Sequence, residues 1–102
     1  METKNLHSWI ELSRQAYAAN IAFFRRRLAP HTRLAAVVKA NAYGHGLLEI
    51  ARMARENNVD MFCVHAVEEA AVLRGAGVTE PILMLGPVPI GRAGEVVALG
   101  GI

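Results

Sequence analysis

Residues 35–46 constrain the fold of this 102-residue chain most strongly, because a short apolar run ends there on a lysine and breaks at once into a turn. Residues 35–38 are apolar without alternation, which is typical of a parallel strand that is buried on both faces. Lysine is seldom buried. Lys39 at the end of such a strand therefore either extends into water, as most lysines do, or is held there for a purpose.

Three features favour a purpose for Lys39. Asn41, Gly44 and Gly46 follow it, and these residue types can adopt positive φ and bring the backbone close to a ligand. A helical pattern begins next, and the N-terminus of a helix suits a phosphate group. A lysine at the carboxyl end of a strand stands where α/β folds place their chemistry, and a lysine amine shielded from water can attack a carbonyl to form a Schiff base.

Residues 36–46 read Ala-Val-Val-Lys-Ala-Asn-Ala-Tyr-Gly-His-Gly and resemble the pyridoxal 5'-phosphate (PLP) attachment segment of bacterial alanine racemases. The resemblance implies that Lys39 carries PLP as a Schiff base and that the Tyr43 hydroxyl reaches its phosphate. It also implies that Lys39, once released, is the base for one face of the substrate. Leu85 resembles a residue that lines the cofactor pocket, with plain barrel core as the alternative, and Val37 is a further candidate for that lining.

Composition excludes several functional classes. The net charge of +2 is dispersed, and the cluster Arg25–Arg27 is explained by a solvated helix end, so we expect no nucleic-acid partner. A single cysteine, Cys63, lies in an apolar run and fits a buried thiol in a reducing compartment. No apolar run has the length of a membrane span, the first residues lack a signal-peptide core, and no metal-ligand spacing is present. We therefore expect a cytoplasmic protein with no membrane partner and no metal.

Hydrophobic periodicity predicts alternating strands and helices along the chain. Strands are expected over residues 6–12, 33–40, 59–65 and 82–85. Helices are expected over residues 14–28, from 47 to the stop at 57–58, from 66 to the stop at 75–77, and over 92–99. The first helix should bury one stripe, formed by Tyr17, Ile21, Phe24 and Leu28. Glu68 and Glu69 should lie in the first turn of the third helix, where carboxylates suit the helix dipole.

This repetition predicts an α/β fold in which helices cover a parallel sheet. A small open doubly wound sheet and a section of an eight-stranded barrel fit the pattern equally. The resemblance, which runs from about Glu11 to Gly86, implies the barrel. Such a barrel needs about 250 residues, so residues 1–102 are interpreted as one partial domain, about the first half of a PLP-binding (β/α)8 barrel.

Racemisation removes a proton from one face of the substrate α-carbon and returns it on the other, and two bases on opposite faces do this most simply. In the family the second base is a tyrosine of the partner subunit, and a homodimer is therefore implied, with alanine as the substrate. The two tyrosines here do not fit that role, because Tyr17 lies on a helix face and Tyr43 is assigned to the phosphate. His45 and His65 are better explained as structural histidines than as acids or bases.

Two functional hypotheses follow from the length of the chain. In the first, these residues are the N-terminal portion of an enzyme that interconverts L- and D-alanine and so supplies D-alanine for peptidoglycan. In the second, they form a catalytically silent PLP-binding or interaction module. Related amino-acid decarboxylases and a small cofactor-homeostasis protein rank lower, because their lysine segments are less similar. The hydrophobic share of 53% and the uncharged strands favour the first hypothesis.

Overall fold

The computed structural model describes residues 5–102, and within them helices and strands alternate. The elements in order are α1 (Arg14–Arg25), β1 (Ala35–Val37), α2 (Lys39–Tyr43), α3 (Leu47–Glu56), β2 (Met61–Val64), α4 (Val67–Gly75), β3 (Ile82–Met84), a 3-10 turn (Ile90–Arg92) and α5 (Ala93–Leu99). The predicted α/β alternation is confirmed. None of the helices in residues 5–102 is both long and apolar enough to cross a membrane.

The three strands form one parallel sheet in the order β1-β2-β3. Ala36, Phe62 and Ile82 form one row across the sheet, and Val37, Cys63 and Leu83 form the next row. Because successive residues of a strand face opposite sides, these two rows lie on opposite faces. Phe62 and Ile82 are buried, whereas Val37 is 40% and Leu83 48% exposed. The helices therefore cover one face of the sheet. On the other face Val37 and Leu83 are exposed, whereas Cys63 between them is buried.

The core lies between the sheet and helices α3 and α4. Its largest fully buried side chains are Phe62, Leu73, Val38 and Val64. Small residues of both helices, among them Ala54 and Ala70, complete the cluster and let the helices approach the strands closely. Cys63 is also buried, as expected, and its burial raises the pKa of the thiol.

Two expectations about the N-terminal part of the chain are wrong. The predicted strand over residues 6–12 does not form, and the sheet has three strands instead of four. A strand exists only when it pairs with a neighbour, and β1 pairs only with β2 among the described residues. The first helix ends at Arg25, and Phe24 is 54% exposed instead of buried. Helix α1 packs on the core through Tyr17 and Ile21, so its apolar stripe is shorter than predicted.

The other helix ends follow the sequence. Asn57 and Asn58 close α3, with Asn58 at φ 58°. Gly77, at φ 88°, lies just beyond α4 and supports the turn towards β3. Glu68 and Glu69 occupy the first turn of α4 as predicted.

Arg74, near the end of α4, joins three parts of the fold. Its guanidinium donates to the carbonyl oxygens of Val78 (2.9 Å) and Glu80 (2.8 Å) ahead of β3. It also donates to those of Leu99 (3.0 Å) and Gly100 (2.8 Å) at the end of α5. One side chain thus fastens α5 and the entry to β3 against α4.

We expect Arg74→Met to lower the free energy of unfolding by about 2 kcal/mol, because hydrogen bonds from a charged group to several carbonyls are lost together. Urea denaturation followed by circular dichroism measures the change. Arg52→Met on the exposed side of α3 is the matched control and should change stability by less than about 0.5 kcal/mol. Equal effects of the two substitutions would contradict this role for Arg74.

Asp60 ties the start of β2 to the segment before β1. Its Oδ2 accepts from the Leu34 N–H at 2.6 Å, while its own N–H donates to the Leu34 carbonyl at 2.8 Å. Arg25 of α1 approaches the same oxygen at 2.9 Å. The Leu34 N–H first, and then the Arg25 side chain, lower the pKa of Asp60 below its ordinary value.

A carboxyl group with a lowered pKa in the folded state stabilises the fold above its unfolded pKa and loses that contribution as the pH falls through the folded pKa. We therefore expect acid to destabilise the chain below about pH 4, the ordinary range of an aspartate. Asp60→Asn should reduce this acid-dependent loss while keeping the acceptor for Leu34. Thermal unfolding between pH 7 and pH 3 measures it, and an unchanged acid slope in the variant would contradict the assignment.

Candidate active site

Three strand ends meet at one edge of the sheet. Lys39, His65 and Leu85 lie just beyond β1, β2 and β3, and parallel strands place their carboxyl ends together. Pairing continues past the strands, because the Leu85 N–H donates to the Val64 carbonyl at 2.7 Å. Gly86 permits this approach, since a Cβ there would lie 2.5 Å from the His65 carbonyl oxygen.

Helix α2 is a left-handed turn. Its residues 40–43 all have φ between 53° and 57°, in the region where an L-residue costs about 1–2 kcal/mol. The positive φ expected at Asn41, Gly44 and Gly46 is confirmed. At Ala40, Ala42 and Tyr43 it is a finding that the sequence did not predict, because these side chains do not favour it.

Hydrogen bonds to residues before the turn, after it and on α4 hold the left-handed turn. The Ala42 N–H donates to the Val38 carbonyl at 2.9 Å, and the Ala42 side chain is buried in the core. Asn41 Oδ1 accepts from the Leu47 N–H at 2.8 Å and so caps α3. The Ala40 N–H donates to Glu69 Oε2 at 2.7 Å, which joins the turn to α4.

The N-terminus of α3 has partners within the chain. Its first amide, that of Leu47, is taken by Asn41, and the Glu49 carboxylate lies over Gly46 at the same helix end. A negative side chain in this position already satisfies the helix dipole. Asn41 and Glu49 therefore occupy part of the helix end at which the sequence pattern suggested a phosphate.

The predicted site residues lie partly on the sheet face that bears Val37 and partly at the edge where the carboxyl ends of the strands meet. Lys39 is half-buried, and Tyr43 is 61% exposed. Val37 and Tyr43 line one cavity of about 430 Å³ between α1, β1 and α3. Lys39 and Leu85 are not among its lining residues. Leu85 is 49% exposed and shares with Lys39 only the edge where the strands end.

A second cavity, of about 460 Å³, lies on the outer side of α3 and carries charged side chains. Arg55 and Glu80 line it and form an ion pair at 3.0 Å. None of the predicted site residues lines this cavity. It therefore has no connection with the chemistry expected of Lys39.

The remaining candidate acids and bases have structural surroundings. Tyr17 is half-buried against the core, and this burial raises the pKa of its phenol. His45 Nδ1 lies 3.0 Å from the Ala42 carbonyl oxygen, a hydrogen bond that fixes the turn. Within residues 5–102, no group of three or more His, Cys, Asp or Glu side chains could hold a metal ion.

Glu69 is the residue whose role the sequence did not reveal. Its Oε1 accepts from the N–H groups of His65 (2.7 Å) and Ala66 (2.9 Å), in addition to the Ala40 contact of Oε2. Burial opposes ionisation of this carboxyl, but the hydrogen bonds from Ala66, His65 and Ala40 outweigh it, and the pKa of Glu69 is lowered. A glutamate three residues after a helix N-cap signals the contact with Ala66. Nothing in the sequence signals the contact with Ala40.

The chain is similar to alanine racemases in sequence and in structure. Residues 12–101 match the family model described as alanine racemase, N-terminal domain. Alanine racemase 2 of Bacillus subtilis (strain 168) is 47% identical over 78 residues, which cover 76% of this chain and 20% of the relative.

Two solved structures share the fold. The crystal structure of alanine racemase from E. faecalis superposes with a TM-score of 0.82 at 40% identity, over 86% of this chain and 24% of that one. Alanine racemase from Bacillus anthracis with bound L-Ala-P gives a TM-score of 0.76 at 40% identity, over 79% and 21%. The chain thus spans between a fifth and a quarter of the length of these relatives, and by this match it belongs to the alanine racemase N-terminal domain family.

Proposed function

We propose that this chain forms the N-terminal part of a PLP-dependent alanine racemase and that Lys39 carries the cofactor. The observation that supports the proposal most is the position of Lys39, half-buried at the carboxyl end of β1 and directly before a strained turn. Backbone strain of this kind clusters at functional sites. The family match and the bound L-Ala-P of the Bacillus anthracis relative support alanine as the substrate class.

The chemistry of the donor set fits PLP. Lys39 supplies a primary amine for the carbonyl carbon of the cofactor, and Tyr43 supplies an exposed hydroxyl that can donate to a phosphate. Val37 and Leu85 supply exposed apolar side chains for the ring. These four residues are the ones that we assign to the cofactor.

Each assigned residue has a separate task. When bound, PLP supplies an electron sink for the α-carbon of an amino acid. Lys39 holds the cofactor covalently and, once its amine is free, accepts or returns the α-proton on one face. Tyr43 holds the phosphate, and Val37 and Leu85 keep water from the ring. The base for the other face is assigned to a tyrosine of the partner subunit, as the resemblance implies, because Tyr17 is half-buried on α1 and Tyr43 is assigned to the phosphate.

The proposal includes a homodimeric enzyme in the cytoplasm, as the resemblance implies. The open sheet face supports a larger barrel over a free-standing module. Val37, Leu83 and Leu85 leave a row of apolar side chains exposed there, and further strands of a barrel would cover it. Racemisation of serine belongs to the same chemistry, and the assay of both amino acids distinguishes them.

Covalent labelling tests the cofactor assignment. Lys4 and Lys39 are the two lysines of the chain, so Lys4 is an internal reference. We expect PLP followed by borohydride to fix a pyridoxyl group mainly on the peptide that contains Lys39, because Lys39 is half-buried just beyond β1, at the proposed cofactor site. Peptide mass spectrometry measures the ratio. Lys39→Arg should abolish this label, and Lys4→Arg should leave it intact.

Equal labelling of Lys4 and Lys39 in the wild-type chain would contradict the assignment. Such a result would mean that Lys39 reacts only as an ordinary exposed amine.

A chimaera tests the activity. The corresponding N-terminal segment of Bacillus subtilis alanine racemase 2, which is 47% identical, is replaced by this chain. We expect the chimaera to interconvert L- and D-alanine, and Lys39→Arg to lower its rate by roughly a thousandfold or more, since both attachment and proton transfer are lost. Chiral chromatography measures the products. A folded chimaera that labels at Lys39 but does not racemise would favour the silent cofactor-binding module.

A further inference from the structure

Glu69 connects two strand ends at the proposed cofactor site. One carboxylate oxygen, Oε2, accepts from the Ala40 N–H at 2.7 Å, just after Lys39 on the β1 side. The other, Oε1, accepts from the His65 and Ala66 N–H groups at 2.7 and 2.9 Å, on the β2 side. A carboxylate that accepts hydrogen bonds at both oxygens has little rotational freedom, so it fixes the distance between the two backbone segments.

The Ala40 contact acts on the peptide group of Lys39. The N–H of Ala40 and the carbonyl of Lys39 belong to one planar unit, so a partner for the N–H orients the backbone on which the Lys39 side chain is built. Ala40 is also the first residue with positive φ, at 53°, where the chain departs from the strand. The hydrogen bond therefore acts at the point where the backbone changes direction.

Other contacts of the left-handed turn are local. Ala42 bonds to Val38, and Asn41 bonds to Leu47. These two hydrogen bonds shape the turn but do not reach β2 or α4. On the other side of Lys39, the Val38 N–H donates to the Cys63 carbonyl of β2 at 2.9 Å. Glu69 of α4 bonds to Ala40 of the turn, 29 residues away in sequence.

We propose that Glu69 is a positioning residue that holds Lys39 in the orientation needed to carry the cofactor. This inference rests on the proposed function of Lys39 and adds a residue that touches neither substrate nor cofactor. Its carboxylate acts only through backbone N–H groups. Substitution should therefore change where the Lys39 amine lies, without removing the amine.

The neighbouring Glu68 provides a matched control. It lies in the same first turn of α4, carries the same charge and forms an ion pair with the Arg92 side chain. Glu68→Gln and Glu69→Gln remove the same charge from the same helix end, so any effect through the helix dipole is common to both. We call the hydrogen bonds from Glu69 to the N–H groups of Ala40, His65 and Ala66 the clamp. Only Glu69→Gln replaces a carboxylate oxygen of this clamp by an amide NH₂, which is a donor facing N–H donors.

Amide hydrogen exchange tests the clamp without cofactor. We expect Glu69→Gln to speed exchange of the Ala40 amide by about tenfold or more, the effect of losing a hydrogen bond to a charged group. Glu68→Gln should leave that rate unchanged, and amides in the middle of α3 should be unaffected by either. Equal protection of Ala40 in the wild-type and Glu69→Gln chains would overturn the proposal.

Labelling tests the effect on Lys39. With PLP and borohydride, Glu69→Gln should lower the Lys39 to Lys4 labelling ratio about tenfold, in line with the loss of one such hydrogen bond. The induced visible circular dichroism of attached PLP, which reports its fixed orientation, should weaken in the molecules that still label at Lys39. Glu68→Gln should retain both signals. An unchanged ratio and dichroism in Glu69→Gln would overturn the proposal even if the Ala40 amide exchanged faster.

Glu69→Asp distinguishes a positioning effect from a general loss of folded structure. It keeps the charge at the helix N-terminus but is one methylene shorter, so it cannot span from α4 to Ala40. We expect Glu69→Asp to show the same losses of labelling and dichroism as Glu69→Gln. Amide exchange in α4 should remain at the wild-type rate, which shows that the helix is intact. Wild-type behaviour of Glu69→Asp would overturn the proposal. If wild-type Lys39 labels no more than Lys4, the proposed function fails, and the Ala40 exchange rates alone decide the clamp.

Discussion

The left-handed turn after Lys39 is the feature on which the surrounding structure depends. Four consecutive non-glycine residues with positive φ are unfavourable for an L-chain, and they persist only when neighbouring elements hold them. The turn is held by the Val38 carbonyl just beyond β1, by the Leu47 amide of α3 and by Glu69 of α4. Core packing and site geometry cannot be separated here.

The sheet explains why the turn lies at an edge and what that edge faces. Parallel pairing brings the ends of β1, β2 and β3 together, and strand alternation assigns Phe62 and Ile82 to the helices and Val37 and Leu83 to the other side. On the helix side, apolar side chains are buried between the sheet and the helices, and this burial stabilises the fold. The open side bears the apolar row that a closed barrel would cover. The proposed lysine stands at the boundary between the two, where a side chain is supported by the core and still accessible.

Much of this arrangement could be predicted from the sequence, because uninterrupted apolar strands and regular helix spacing report burial directly. The stop of α3 at Asn57 and Asn58 follows from residue type. The strand expected over residues 33–40 is shorter, since β1 already ends at Val37. The failures have a common cause. The strand expected over residues 6–12 and the burial of Phe24 both depend on partners that local periodicity cannot reveal. Positive φ at Ala40 and Ala42 is imposed by tertiary contacts against their own preference.

The contacts nearest Lys39 position its backbone and are separate from any contacts that would recognise a substrate. Glu69 and Asn41 act there through backbone N–H groups, and no substrate side chain is recognised by such contacts. Under the proposed function, these contacts orient the backbone of Lys39 and do not contact an amino-acid substrate. In the proposed enzyme, selection of alanine over serine is therefore assigned to side chains other than Glu69 and Asn41.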